Sequence, residues 1–242
     1  MMRKDLQPIE GLCLELSSEL IQVFLDDNIE GFSTKFSKYL NKKNLCIGVL
    51  ECLSYQPFAG DFISLEHVAA YYDAVSILLF LKQQSCVSLN SQFGYSAIDY
   101  AVVNNSIGAI GLFKTPQPNL NKKMEVNPIY IAAKVGNPKV ISILYNMGYQ
   151  AKYQRNSSSP LQVAIKQRNK ELARQLIHRD PDLVSKDYSI GHILTNCLSH
   201  GMEDFVEEIL PLICANNVIM DVFHVACLQC KTSLIKKMIA YK

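Results

Sequence analysis

The residues of this 242-residue chain best suited to chemistry are its eight cysteines and five histidines. Cys227-Leu-Gln-Cys230 has the C-x-x-C spacing, and His224 stands close enough to join it. A tetrahedral zinc site needs a fourth ligand, and none is apparent. The pair straddles the end of an expected helix, which favours packing over metal binding. Cys13, Cys46, Cys52, Cys86, Cys197 and Cys214 are scattered over apolar stretches, where cysteine serves as a small buried residue. A cysteine–histidine hydrolase could be assembled from spatial neighbours, but no local signature marks a nucleophile. The 11 glycines are scattered, and no G-x-x-x-x-G-K phosphate loop occurs. His67 and His224 take equivalent places in two similar stretches, where a buried imidazole bonded between neighbouring segments is expected. These residues point to no catalytic group, no metal and no cofactor.

The elements that hold them recur. Asn127–Tyr149 reads NPIYIAAKVGNPKVISILYNMGY. Pro128 suits the first turn of a helix, where its missing N–H costs nothing. Ala132 and Ala133 allow a second helix to approach closely. Gly136 can take positive φ and end the first helix. Val140, Ile141, Leu144 and Tyr145 then recur at helical spacing on one buried face. A short helix, a tight turn and a longer antiparallel helix follow. Related openings begin at Ser64, Ser96, Ser159, His192 and Asp221. The turn positions are Asp73, Asn105, Gly136, Arg168, Gly201 and Cys230. Gly, Asn and Asp tolerate left-handed backbone best, so strain or altered turns are expected at Arg168 and Cys230.

A period near 33 with a T-P-L-H-x-A type of opening is the ankyrin signature. From about Gly60 to Lys242 the chain resembles the ankyrin-repeat family. The resemblance implies an all-α ankyrin-repeat solenoid of about six degenerate helix-turn-helix repeats. It implies a projecting loop after each second helix, best matched by Asp180-Pro-Asp-Leu-Val184. It also implies a protein-binding scaffold rather than an enzyme. Residues 59–242 form the repeat domain. Residues 1–58 form an N-terminal helical cap with an insertion. There Ser17–Asn28 and Ile29–Leu40 read as a degenerate first helix pair, and Leu45–Leu53 as a further helix.

Composition narrows the function. Hydrophobic residues make up 49% and charged residues 19%, which suits a folded chain. The net charge of +2 makes no case for nucleic acid. No apolar run is long enough to span a membrane. Acids within the first residues exclude a classical signal peptide. Cysteine use implies a reducing, cytoplasmic setting. The degenerate repeats, rich in Asn, Lys, Ser and Ile, resemble the ankyrin effectors that intracellular bacteria deliver into host cells. On that reading the chain is monomeric alone and binds a host protein. A eukaryotic or viral ankyrin adaptor is the rival of the same class, and a cysteine-dependent enzyme the rival of another.

In the ankyrin arrangement the two residues before each turn line the concave face, with loop tips beside them. Here the slots begin with Tyr71-Tyr72, Val103-Asn104 and Lys134-Val135, and the tips offer Phe93, Tyr95, Met124 and Val126. The later slots, Lys166-Gln167, Ser199-His200 and Leu228-Gln229, are more polar. The aromatic half is expected to bind the partner, since exposed aromatic clusters mark interaction surfaces. Coverage by the N-terminal segment is the alternative. For the thiols, elemental analysis of the purified protein is expected to find no zinc. Stoichiometric zinc that is lost in Cys227→Ser or Cys230→Ser would overturn this.

Overall fold

The computed structural model describes residues 13–14, 17–40, 46–47, 63–84, 90–91, 93–113, 127–151, 159–185, 190–215 and 219–240. The chain forms two compact units, Met1–Val126 and Asn127–Lys242.

Three helix pairs build the first unit. They are α1 (Ser18–Leu25) with α2 (Ile29–Leu40), α3 (Leu65–Tyr71) with α4 (Val75–Gln83), and α5 (Ala97–Val103) with α6 (Ile107–Gly111). The inner helix α3 packs on α5, and α4 packs on α2 and α6. Ala69, Ala70 and Ala101 are fully buried, and their small size permits the close approach of α3 to α5. The first pair is joined by rings. Phe24 lies 5.6 Å from both Phe32 and Phe36, and Phe32 also meets Phe80 of α4 at 6.1 Å. Aromatic packing thus extends the core into the N-terminal pair. Gly108 fits because a Cβ there would lie 2.8 Å from a Val75 methyl.

The Leu45–Leu53 segment departs from expectation. Its described part, Cys46–Ile47 (β2), pairs in parallel with Cys13–Leu14 (β1) and is not helical. A short apolar run cannot be told apart as helix or strand by periodicity alone. Apart from a β-bridge at Ile63, the other described residues are helical or connecting.

Four further pairs build the second unit. They are α7 (Pro128–Val135) with α8 (Pro138–Asn146), α9 (Pro160–Lys166) with α10 (Lys170–Arg179), α12 (Ile190–Ser199) with α13 (Glu203–Ala215), and α14 (Ile219–Leu228) with α15 (Thr232–Ala240). The inner helices α7, α9, α12 and α14 pack in succession. Between the second and third pairs, Asp182–Ser185 forms a single helical turn, α11, rather than a projecting loop. Leu183 and Val184 explain this, because the turn buries both.

Sequence sets the helix starts. Ser17, Ser64, Ser96, Asn127 and Ser159 are N-caps. At the third residue of three inner helices, His67, Asp99 and Gln162 reach back to the N-cap N–H and close capping boxes. Helices α12 and α14 begin two residues before the His192 and Asp221 openings. All six expected turn positions are left-handed. Gly136 has φ 83 and Gly201 φ 70, while Asp73, Asn105, Arg168 and Cys230 lie between 54 and 58. Arg168 and Cys230 therefore adopt the same turn as the others.

Two aspartates link neighbouring pairs in the first unit. Asp27, at φ 47, accepts hydrogen bonds from the N–H groups of Ser76 and Ile77 at the start of α4. Asp73 accepts from Ala109 N–H at the start of α6. Each carboxylate satisfies orphan donors at a helix N-terminus, where negative charge is favoured.

Leu144 is fully buried in α8, and Gly136 has φ 83. Leu144→Ala is expected to cost about 2–5 kcal/mol. Gly136→Val adds the strain of a left-handed branched residue, since a Cβ there meets nothing closer than 3.6 Å. Chemical denaturation that leaves both variants as stable as the parent would refute this packing.

Candidate functional site

Of the expected binding residues, Tyr71, Tyr72, Val103, Asn104, Lys134 and Val135 sit at the C-terminal ends of inner helices, while Phe93 and Tyr95 lie in the connection before α5. In the first unit Tyr71, Tyr95 and Val103 are buried, at 6%, 5% and 8% exposure. Tyr72 and Phe93 are half-buried, and Asn104 is exposed. The Tyr72 ring stacks on Phe24 of α1 at 6.4 Å, so the N-terminal pair does cover part of it. In the second unit Lys134 is exposed and Val135 half-buried. Met124 and Val126 lie outside the described residues. The expectation of an exposed cluster is thus corrected for Tyr71, Tyr95 and Val103, which are buried. The inner helix end still faces the next inner helix, so its first residue is drawn into the interface between pairs.

What fixes these ends is a set of bonds between pairs that residue types alone did not announce. The Tyr71 carbonyl accepts from Asn104 Nδ2 at 2.7 Å and from Ser106 Oγ at 2.6 Å. In the second unit the Lys134 carbonyl accepts from Gln167 Nε2 at 2.7 Å, and the Gly136 carbonyl from Asn169 Nδ2 at 3.2 Å. Gln229 Nε2 donates to Ser199 Oγ at 3.2 Å. An amide at the second slot of one pair ties down the end of the pair before it. Helix C-termini leave carbonyls without intrahelical partners, and these amides satisfy some of them. Asn104, Gln167 and Gln229, set about two periods apart, were the available signal.

His67 and Asp99 show what the histidine slot does. The His67 Nδ1 accepts from Ser64, and Nε2–H donates to the Tyr95 carbonyl at 3.1 Å. Burial lowers the His67 pKa to about 4, against the raising effect of its bond to Tyr95. Asp99 accepts from the Ser96 N–H and hydroxyl, each at 2.8 Å, while its Oδ1 has no hydrogen-bond partner among the described residues. Burial raises its pKa to about 7, against the lowering effect of the Ser96 bonds. His224, expected to be buried like His67, is exposed. Its helix α14 packs on α12 and α15. Cys227 and Cys230 are also exposed, so packing does not account for them, whereas Cys197 is buried and its thiol pKa is raised by burial. No group of three His, Cys, Asp or Glu among the described residues could hold a metal ion.

The family model for ankyrin repeats, in three copies, matches residues 109–187. The ankyrin repeat domain of Bcl-3, described as a unique member of the IkappaB protein family, superposes with a TM-score of 0.55. It is 12% identical, over 82% of this chain and 87% of that one. The fold is an ankyrin-repeat solenoid. The human ASB11 ankyrin repeat domain gives a TM-score of 0.48 at 15% identity, over 68% of this chain and 70% of that one. No curated protein sequence matches the chain.

Asp99 and His67 have opposite linkage to pH. The unfolded chain binds more protons at His67 between about pH 4 and 6.5, so that contribution to stability is lost as pH falls through this window. The folded chain binds more protons at Asp99 between 3.8 and about 7, so its contribution is lost as pH rises. Asp99→Asn keeps an acceptor for Ser96 and removes the titration. Its melting temperature relative to the parent is expected to improve from pH 5 to pH 8. Parallel pH profiles for the two proteins would contradict this.

Proposed function

We propose that this ankyrin-repeat chain is a non-catalytic scaffold that binds a partner protein through its inner helix ends. The observation carrying this is the set of side-chain amides that anchor those ends to one another. They hold exposed side chains on a rigid backbone, which lowers the entropy lost on binding. In the first unit the accessible candidates are Tyr72, Phe93 and Asn104. In the second they are Lys134 and Val135. Tyr71 and Val103 are buried at these helix ends and Tyr95 is buried just before α5, while Met124 and Val126 lie outside the described residues. Tyrosine offers large contact area with few rotors to freeze.

The ankyrin fold is typically a binding scaffold without enzymatic activity. No described helix is long and apolar enough to cross a membrane. The resemblance in texture to bacterial ankyrin effectors supports a finer reading, in which the partner is a host protein and the chain acts in the host cytoplasm.

The test begins with affinity capture on purified protein, followed by titration of each captured partner against variants. Tyr72→Ala is expected to weaken a true partner about thirty-fold, the loss typical of a central anchor. Tyr95→Ala is expected to lower the melting temperature first, because its ring is buried. If no captured protein responds to any substitution at the inner helix ends, the scaffold reading fails.

A further inference from the structure

The small net charge of the whole chain conceals a local excess. Residues 127–180 carry nine lysines and arginines against two acids, Glu171 and Asp180. Their formal charge is +7, where the complete chain is +2. Two of the nine, Lys170 and Arg174, are engaged outward. Lys170 pairs with Asp204 at 2.6 Å and Arg174 with Glu208 at 2.8 Å, both on α13. Of the two acids, Glu171 lies 4.0 Å from Arg174, and Asp180 follows the far end of α10.

Three of the remaining cations gather at the inner helix ends. Lys134 and Lys166 hold the same slot in successive repeats, and Arg168 occupies the left-handed turn just after α9. All three side chains are exposed. The Gln167 bond to the Lys134 carbonyl and the Asn169 bond to the Gly136 carbonyl fix α9 beside α7. At ordinary helix packing distances of about 8–10 Å, this sets the cations side by side. Lys134 lies over the Tyr130 ring, 5.7 Å from its centre. Neither Lys134 nor Arg168 has a carboxylate partner among the described residues. A cation in the last turn of a helix also complements its dipole. That accounts for one lysine per helix, but not for Arg168 beyond the end of α9, nor for an excess of seven charges.

We infer that the inner face of the repeats at 127–180 binds an acidic protein segment, one in which Asp or Glu side chains alternate with apolar ones. This deepens the scaffold reading and rests on it. Carboxylates would meet Lys134, Lys166 and Arg168. Apolar side chains would meet the half-buried Val135 and Tyr130. A protein segment is favoured over nucleic acid because the cations are few and clustered on two adjacent helix ends. A phosphate backbone calls for a longer basic track.

The test uses the full chain and three fluorescent probes: a peptide of alternating Glu and Leu, its Lys and Leu counterpart, and a DNA duplex. Fluorescence anisotropy is expected to show binding of the acidic peptide alone, weakened by added salt as screened charges require. Lys134→Glu with Lys166→Glu and Arg168→Glu should weaken it at least tenfold, with the melting temperature unchanged. The corresponding glutamine variants should lose less. Equal binding by the charge-reversed protein, binding of the lysine peptide, or binding of DNA in place of the acidic peptide would each overturn the inference. A captured partner that depends on Tyr72 but is indifferent to the charge reversal would overturn it too, while leaving the scaffold reading standing.

Discussion

Everything in this fold depends on one backbone conformation, the left-handed residue that turns each first helix into its partner. It falls nine residues after Ser64, Ser96, Asn127 and Ser159, and that spacing fixes the length of every inner helix there. With the inner helix fixed, the face it offers its neighbour is fixed as well. For most residues the left-handed conformation costs about 1–2 kcal/mol. Glycine escapes that cost at Gly136 and Gly201, and Asp73 and Asn105 are among the tolerant types. Arg168 and Cys230 are neither, yet they turn in the same way. The packing of helices on both sides imposes the turn there.

The repeat was legible because its signals are local. A serine or asparagine cap, a pair of small residues and a turn residue can be read one after another along the chain. The starts of α12 and α14 were less legible, because the openings counted at His192 and Asp221 lack the serine or asparagine that begins the other four. The slots proposed for binding could be counted along the repeat, but their exposure could not. Tyr71 and Tyr95 look like surface aromatics when slots are counted, and only the neighbouring repeat decides that they are covered. His224, Cys227 and Cys230 failed in the opposite direction. They were read by analogy with covered repeats, but all three are exposed, on α14 or just after it. The β1–β2 pairing joins segments more than thirty residues apart, and nothing in either dipeptide names its partner.

Charge is distributed with the same logic. Helix α13 sends Asp204 and Glu208 back to Lys170 and Arg174, and Glu203 and Glu207 forward to Lys231 and Lys237. Exposed pairs of this kind contribute little stability individually. Their larger effect is on the outward face, where each acid meets a base. Lys134 and Arg168, at the inner helix ends, take no part in these pairs. The interior follows a different rule. His67 and Asp99 hold equivalent places under equivalent caps, and burial drives both toward the neutral form. Their proton uptakes on unfolding have opposite signs and offset one another over much of the mildly acidic range.

The aspartates at Asp27 and Asp73 give the first unit a direction in time. Each sits in its own turn but bonds the start of a second helix that is made later, α4 for Asp27 and α6 for Asp73. During synthesis, α3 and α4 emerge from the ribosome before the donor that Asp73 requires. Until α6 arrives, the turn backbone is bonded within its own pair but the Asp73 carboxylate lacks the N–H group from which it accepts. Each pair is therefore completed by its successor. A nascent chain interrupted between Asp73 and Ala109 carries an unfinished joint at its growing end, open to whatever binds exposed helix faces first.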